Sequence, residues 1–368
     1  MLTKVNTASL SKIECAEILK TLRTALPDQE YRRVKNYLIA VCREADEEEI
    51  DSAIQGISEE DEFLLMSYLM GTATHLVPLF QRPVIKQGYI IPDLLASFQV
   101  IDKSKGLSTQ KHIKYFVDVK STSKDKCKVG GSKLKRLRDF SDHFGLPLLL
   151  AVRFTLFPRF PFWALVEDTD RSATSITIRL EDIMNGKREL LWNDYWFSLR
   201  QEGVSFKAVF TPEDGILTED GILRHKDYGK LQQFDIIVNN LTVSRREKTE
   251  ATWLYIFFEQ LAEEESFIKE ESVTTQILKP KMVVRSISDM VSRFNQLGRD
   301  DRTMPSSATK ILLRTSQTSK RIVIRREKIE ALVGSLMKVK LLKRFVRNGS
   351  MTLSKIEYDG WEELVVSF

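Results

Sequence analysis

The stretch YFVDVKSTSKDK, residues 115–126, places an aspartate and a lysine two positions apart in a run that is otherwise apolar. Upstream, YIIPDLLASF, residues 89–98, is a second apolar run that contains Asp93. Both runs are typical of buried strands, and we expect each to end on its carboxylate. Buried acids are costly unless a partner offsets their charge. A divalent metal ion between Asp93 and Asp118 is one such partner, with Lys120 on the same strand face as Asp118.

Composition indicates an ordinary globular protein. The chain has 368 residues, of which 42% are hydrophobic and 29% charged, and this length favours two or three domains. No apolar run is long enough for a membrane span, and the N-terminus lacks the apolar core of a signal peptide. Three unpatterned cysteines fit a reducing compartment, so we expect a cytoplasmic protein. Four scattered histidines argue against a structural zinc site.

Charge is segregated along the chain. Residues 41–62 are strongly acidic, whereas residues 101–140 and 301–350 are strongly basic. Each basic block is either solvated surface or a footprint for a phosphate backbone, since every lysine or arginine on such a footprint releases counterions on binding. Which of these two interpretations applies depends on the residues that lie between the charges.

The first half of the chain predicts helices followed by strands. A Ser11–Glu14 capping box starts a helical region over residues 9–56, and Gly56 and Ser58 predict a new helix over 59–71. Five short strand-like runs follow, and the fourth comes after a helix within GGSKLKRLRDFSDHFG. The predicted order is helix, three strands, helix, strand, strand.

The second half carries weaker signals. Residues 246–271 predict one long amphipathic connecting helix. After it come two further helices and a basic hairpin with Asn348-Gly349 at its turn, which is the outline of a winged-helix module. The predicted domains are a helical lead-in over residues 1–57, a core over 58–169 and a mixed middle module over 170–245. The connector and its terminal module follow over 246–368.

The core pattern resembles the PD-(D/E)xK nuclease superfamily. Pro92-Asp93, Asp118-Val119-Lys120 and the following helix and strand carry this resemblance, which covers about residues 59–167. Residues 118–154 are similar to archaeal Holliday-junction resolvases, and FQRPVIKQGYIIPDLL resembles the nuclease subunit of Tn7-like transposases. The resemblance implies an α/β fold with a restriction-endonuclease-like αβββαβ core. An N-terminal helical lead-in, a mixed middle module and a C-terminal winged-helix-like module would flank it.

The resemblance also implies a set of catalytic residues. Asp93 and Asp118 would hold Mg²⁺, for which Mn²⁺ substitutes, and Lys120 would orient or deprotonate the attacking water and offset charge in the transition state. A third acid from the first helix is Glu59, Glu60, Asp61 or Glu62, and Glu62 is preferred because it directly precedes the apolar stripe. Lys133 matches a further family position. Asp118 stands where the family more often has Glu, and a long lysine-rich excursion separates the two acidic strands.

Basic side chains are the predicted nucleic-acid contacts. They lie after the third strand, in the following helix and in the C-terminal block, and they are Lys124, Lys126, Lys128, Lys135, Arg325, Arg326, Lys343, Arg344 and Arg347. The C-terminal block predicts either a DNA-binding or a protein-binding winged helix. Duplex or branched DNA is the expected partner, with either a homodimer or a second protein subunit, and without a membrane.

Three functions agree with these residues. The first is a Mg²⁺-dependent DNA endonuclease of bacterial defence or of a mobile element. The second is a catalytically silent nuclease-fold subunit that binds DNA or assembles a complex. The third is a nuclease directed at RNA, since hydrolysis at such a site does not itself require deoxyribose.

Overall fold

The protein is a mixed α/β chain with several sheets. The computed structural model describes residues 11–41, 46–79, 88–102, 109–156, 161–199, 203–213, 222–259, 262, 264–280, 284–295, 297, 308, 324–338, 351–357 and 360–363. The chain divides into two compact units, one of residues 1–193 and 295–323, the other of residues 194–294 and 324–368. Both units are therefore built from segments that are distant in sequence.

The first unit holds most of the described helices and a central sheet. Its helices are α1 (Lys12–Ala25), α2 (Asp28–Val41), α3 (Glu47–Leu69), α4 (Gly131–His143), α5 (Asp182–Asn185) and α6 (Arg188–Trp192). Its strands are β1 (Ala73–Pro78), β2 (Leu94–Asp102), β3 (Thr109–Thr122), β4 (Lys126–Val129), β5 (Leu148–Phe154), β6 (Phe162–Glu167) and β7 (Ile176–Arg179).

The central sheet has the strand order β1-β2-β3-β5-β6. Only β3 and β5 run parallel, because α4 connects them as a crossover helix, and the other neighbours are antiparallel. All seven residues of β5 are buried, as expected for a strand covered on both faces. Strands β4 and β7 pair separately as a two-stranded ribbon.

The N-terminal helices pack on one another through a small apolar core. The predicted capping box is confirmed, since Ser11 and Glu14 exchange hydrogen bonds at the start of α1. The prediction of a helix start at residue 59 is wrong. Helix α3 begins twelve residues earlier, at Glu47 after its cap Asp46, and Ile50 and Ile54 pack in the core with Leu19 of α1. This packing outweighs the roughly 1 kcal/mol that a helical glycine costs at Gly56.

The strands that carry or adjoin Asp93 and Asp118 begin and end at other residues than predicted. Strand β2 begins at Leu94, so Asp93 precedes the strand and does not close it. Strand β3 continues to Thr122, which places Asp118 and Lys120 within its length. Pro92 lacks a backbone N–H, and this explains why the ladder starts only after it.

The second unit is built around two antiparallel sheets. Its strands are β8 (Trp196–Leu199), β9 (Val204–Thr211), β10 (Arg224–His225), β11 (Gly229–Val238), β12 (Leu241–Glu247), β13 (Glu264–Glu270), β14 (Val273–Lys279), β15 (Val284–Ser286), β16 (Met351–Glu357) and β17 (Gly360–Glu363). Its helices are α7 (Lys248–Glu259), α8 (Ile287–Phe294) and α9 (Arg326–Lys338). One sheet has the order β10-β11-β9-β14-β13 with β12 also on β11, and the other has the order β15-β8-β16-β17.

Two predictions fall in this unit. The single helix over 246–271 is wrong, because α7 ends at Glu259 and residues 264–270 form β13 along β14. The terminal residues include the β16–β17 hairpin, but Asn348-Gly349 lies outside the described residues. The winged-helix module therefore stays a prediction.

In the part of the chain that the structure describes, we find no helix with the length and hydrophobicity that crossing a membrane requires.

Candidate active site

Neighbouring strands bring the two predicted metal-binding acids together. Leu94 of β2 lies opposite Val117 of β3, so Asp93 comes beside Asp118. The Val119 N–H donates a hydrogen bond to Asp93 Oδ2 at 2.5 Å. Asp93 is 7% exposed and Asp118 only 1%. Both acids are thus buried at one point of the sheet.

Two lysines supply positive charge at the same point. Lys120 Nζ lies 2.8 Å from Asp118 Oδ2 and 3.8 Å from Asp93 Oδ2. Lys133, in the first turn of α4, places its Nζ 3.7 Å from Asp118 Oδ1. Of the five predicted catalytic residues, these four lie together, and we call Asp93, Asp118, Lys120 and Lys133 the acidic cluster.

Glu62, the fifth, is bound elsewhere. Its Oε2 lies 2.8 Å from Arg153 Nη2, and its Oε1 accepts hydrogen bonds from Arg153 Nε at 3.1 Å and Trp163 Nε1 at 3.3 Å. Arg153 projects from the fully buried strand β5 and requires a counterion there. The preference for Glu62 therefore does not hold, and its carboxylate serves Arg153.

Glu60 is the helical acid that interacts with the cluster. Residues 60 and 62 lie about 200° apart around a helix, so they face opposite sides of α3. Burial raises the pKa of Glu60 to about 8, and repulsion by Asp93 adds to this while Lys120 opposes it. Asp61 instead pairs with Lys20 at 2.7 Å. Glu60 is one of the four acids that the sequence left open, and of these it is the one that the charges of Asp93 and Lys120 act on.

The cluster shifts the pKa of its own members. Burial raises the pKa of Asp93, and repulsion by Asp118 acts in the same direction. Burial alone would lower the pKa of Lys120, but attraction by Asp118 and Asp93 raises it above its usual range. Burial lowers the pKa of Lys133, as does the neighbouring charge of Lys120. Such opposed shifts in one place are frequent at functional sites.

The two aspartates fit a hydrated Mg²⁺ ion. Asp118 Oδ2 is buried, and its contact in the cluster is the ammonium of Lys120 at 2.8 Å. Mg²⁺ takes one or two carboxylates and keeps several waters. Within the described ranges, no three His, Cys, Asp or Glu side chains are grouped to hold a metal ion by themselves. An ion here would need oxygen ligands from water and substrate.

The predicted nucleic-acid contacts divide into three groups. Lys124, Lys126, Lys128 and Lys135 are exposed near the cluster in sequence, and Lys126 and Lys128 belong to β4. Arg325 is exposed, whereas Arg326 is paired with Glu330 of its own helix at 2.6 Å. The others, Lys343, Arg344 and Arg347, lie outside the described residues.

Arg153 and Arg179 were missed in the sequence. Arg153 interrupts the apolar run PLLLAVRFTLF, and an arginine in a buried strand is a signal that an acid lies opposite. From this signal, one acid of α3 could have been predicted to pair with Arg153. Arg179 carries no such signal, because only the pairing of β7 with β4 brings it beside Lys126.

Comparison with known proteins finds likenesses among solved structures but none in sequence. No family model matches the chain, and no curated protein matches its sequence. Among solved structures, the Holliday junction resolvase of Archaeoglobus fulgidus, an archaeal hyperthermophile, is similar over 35% of this chain and 91% of its own. The identity is 14% and the TM-score 0.25. A TM-score of this size supports no functional conclusion, so any evidence for a function must come from the arrangement of the side chains.

Proposed function

We propose that the chain is a metal-dependent endonuclease that hydrolyses DNA phosphodiester bonds. The supporting observation is the arrangement of Asp93 and Asp118 on adjacent strands with the Lys120 ammonium between them. A phosphodiester is anionic, so its hydrolysis requires positive charge beside the phosphate and an activated water. The two aspartates could hold a metal ion that supplies positive charge beside the phosphate. The Lys120 ammonium could add to that charge and orient the water.

Asp93 and Asp118 would hold the metal ion, with Glu60 at the edge of the same site. A bound Mg²⁺ would supply Lewis-acid charge and a water of lowered pKa. The Val119 N–H fixes Asp93 Oδ2, so that carboxylate is already oriented before any substrate arrives. Mn²⁺ prefers the same oxygen ligands and would substitute.

Lys120 is assigned to charge stabilisation and orientation. Its ammonium lies beside both acids, and in this setting a compact cation with three donors can orient a water and a phosphate oxygen together. Lys133 is 40% exposed at its side chain and lies on the open side of the cluster. It would therefore meet the phosphate from the solvent side.

The biological setting follows only from the resemblance. The proposed endonuclease would act in bacterial defence or in a mobile element, on duplex or branched DNA. One such site cuts one strand at a time, so cutting of both strands would take a second copy of the chain or a second protein subunit.

A silent nuclease-fold subunit is the second candidate. The observation that favours it is that no three metal-ligating side chains are grouped among the described residues. Such a protein would bind duplex DNA with a steep salt dependence and would never cut it.

The decisive experiment is cleavage of linear, nicked, branched and single-stranded DNA with Mg²⁺. We expect Asp118→Ala and Lys120→Ala to reduce single-turnover cutting by at least 10³-fold, which corresponds to about 4 kcal/mol. Asp139→Ala and Lys111→Ala replace exposed residues of the same unit and serve as matched controls. Full cutting by both cluster variants would reject the proposal, and a parent that binds but never cuts would favour the silent subunit. A parallel RNA series tests the RNA-directed alternative.

A further inference from the structure

The ribbon of β4 and β7 has an inner face next to the acidic cluster. Cys127 of β4 is half-buried, and the charges of Lys120, Asp118 and Lys133 all act on its thiol. Val129 lies on the same face of β4 and is buried. The inner face therefore packs into the first unit, close to the residues of the proposed site.

The outer face of the ribbon is basic and open to solvent. Lys126 and Lys128 are exposed, point away from the Cys127 side, and have no ion pair among the described residues. Arg179 of β7 lies opposite Lys126. Within the described ranges, its ion pair with Glu181 at 3.9 Å joins two side chains that are each more than 60% exposed, and such pairs contribute little. Three cations thus face solvent together.

Helix α4 connects the ribbon rigidly to the cluster. Arg138 of α4 binds both carboxylate oxygens of Asp168, at 2.7 and 2.6 Å, and donates to the carbonyls of Asp170 and Ala173 at 2.8 and 2.6 Å. These residues form the loop that leads into β7. The same helix carries Lys133, so one element positions both the site and the ribbon.

Two close contacts complete this connection. At Gly131, the first residue of α4, a Cβ would lie only 2.8 Å from the Thr174 carbonyl oxygen, so only glycine permits this approach. At the other end of the ribbon, the Leu180 N–H donates to the Asp125 carbonyl at 2.9 Å. The ribbon is consequently pre-organised and not a flexible loop.

We propose that the outer face of the ribbon binds the phosphate backbone of duplex DNA beside the bond to be cut, an inference that rests on the proposed function. Exposed lysines and arginines complement a phosphate chain and release its counterions. None of the eight ribbon residues is aromatic, so the ribbon lacks the stacking side chains with which proteins hold unpaired bases. The contact reads no sequence and fixes the register of the duplex against the site.

The test measures binding of a short DNA duplex at several salt concentrations with a chelator present, so that cutting plays no part. For Lys126→Ala/Lys128→Ala, we expect the slope of log affinity against log salt to fall by about 1.8, because each lost phosphate contact removes about 0.9. Arg179→Ala should lower it by about 0.9. Arg32→Ala/Arg33→Ala removes two exposed arginines of α2 and should leave the slope unchanged.

The outcomes separate this inference from the proposed function. An unchanged slope in the ribbon variants overturns the inference, whether or not the parent cuts DNA. A reduced slope with a parent that never cuts supports the ribbon contact and rejects the endonuclease. An equal reduction with single-stranded DNA or with an RNA duplex of the same length overturns the assignment to duplex DNA.

Discussion

Two buried charge clusters lie in the first unit, and they differ in how completely their charges are matched. In the pair of Glu62 and Arg153, both carboxylate oxygens have partners, and Trp163 adds a further donor. In the acidic cluster, the two aspartates and the nearby Glu60 share Lys120, whose ammonium lies 2.8 Å from Asp118 Oδ2 and 3.8 Å from Asp93 Oδ2. In the first arrangement one acid has its own arginine, whereas in the second three acids share one ammonium. Burial of charge alone therefore does not indicate a functional site, and the support for the proposed site is the shared charge and the opposed pKa shifts of the acidic cluster.

The largest expected effect breaks the pair of Glu62 and Arg153. Arg153→Ala leaves Glu62 buried without its counterion, which typically costs about 3–5 kcal/mol. We expect urea denaturation to show a loss of unfolding free energy of that size. Cutting by the folded fraction should keep its metal dependence. A loss below about 1 kcal/mol would show that Glu62 finds another partner or a proton, and the contrast between the clusters would disappear.

The second prediction uses pH to compare two acids of the same helix. The pKa of Glu60 is raised from 4.5 to about 8, by burial first and then by Asp93. Between these values the folded metal-free protein keeps a proton that the unfolded chain has lost. Its unfolding free energy should therefore fall as pH rises through this window, by about 1 kcal/mol per pH unit.

Glutamine variants separate the two acids. Glu60→Gln should remove the part of this decline that Glu60 contributes, so that the variant is more stable than the parent at pH 8, whereas Glu62→Gln should be less stable than the parent throughout. Urea denaturation at several pH values in the presence of a chelator measures both. Parallel pH profiles for the parent and Glu60→Gln would contradict the placement of Glu60 beside Asp93.

The smallest effect concerns the connection between α4 and the ribbon. Gly131→Ala would force its Cβ toward the Thr174 carbonyl, and overpacking of this kind costs about 1–2 kcal/mol. Gly56→Ala is the matched control, because a Cβ there meets nothing within 4 Å in the middle of α3. It should stabilise the chain by about 0.5–1 kcal/mol. Thermal denaturation that shifts both variants in the same direction would exclude the close approach.

The meeting of Asp93, Asp118 and Lys120 follows from patterns visible in the sequence. Alternation along a strand puts Asp118 and Lys120 on one face, and short connected strands of this kind tend to be neighbours. The identity of the third acid depends instead on the phase of α3. That phase is set by its start at Asp46 and by the arginine on β5 that binds Glu62, and neither is local to residues 59–62.

The error over residues 246–271 has a similar origin. Glutamate and alanine around residues 259–265 favour a helix in isolation. In the folded chain, residues 264–270 add a strand to the edge of β14, and the ladder with that neighbour overrides local preference. The sequence of this segment contains no turn signal before residue 264 that would mark the end of α7.

The position of Lys120 has a consequence for biosynthesis. Its ammonium gives the first unit an internal counter-ion, so nascent chains can close the sheet around two aspartates without recruiting an ion from solution. We therefore expect folding not to depend on the divalent-ion content of the surroundings, on which only the proposed reaction would draw.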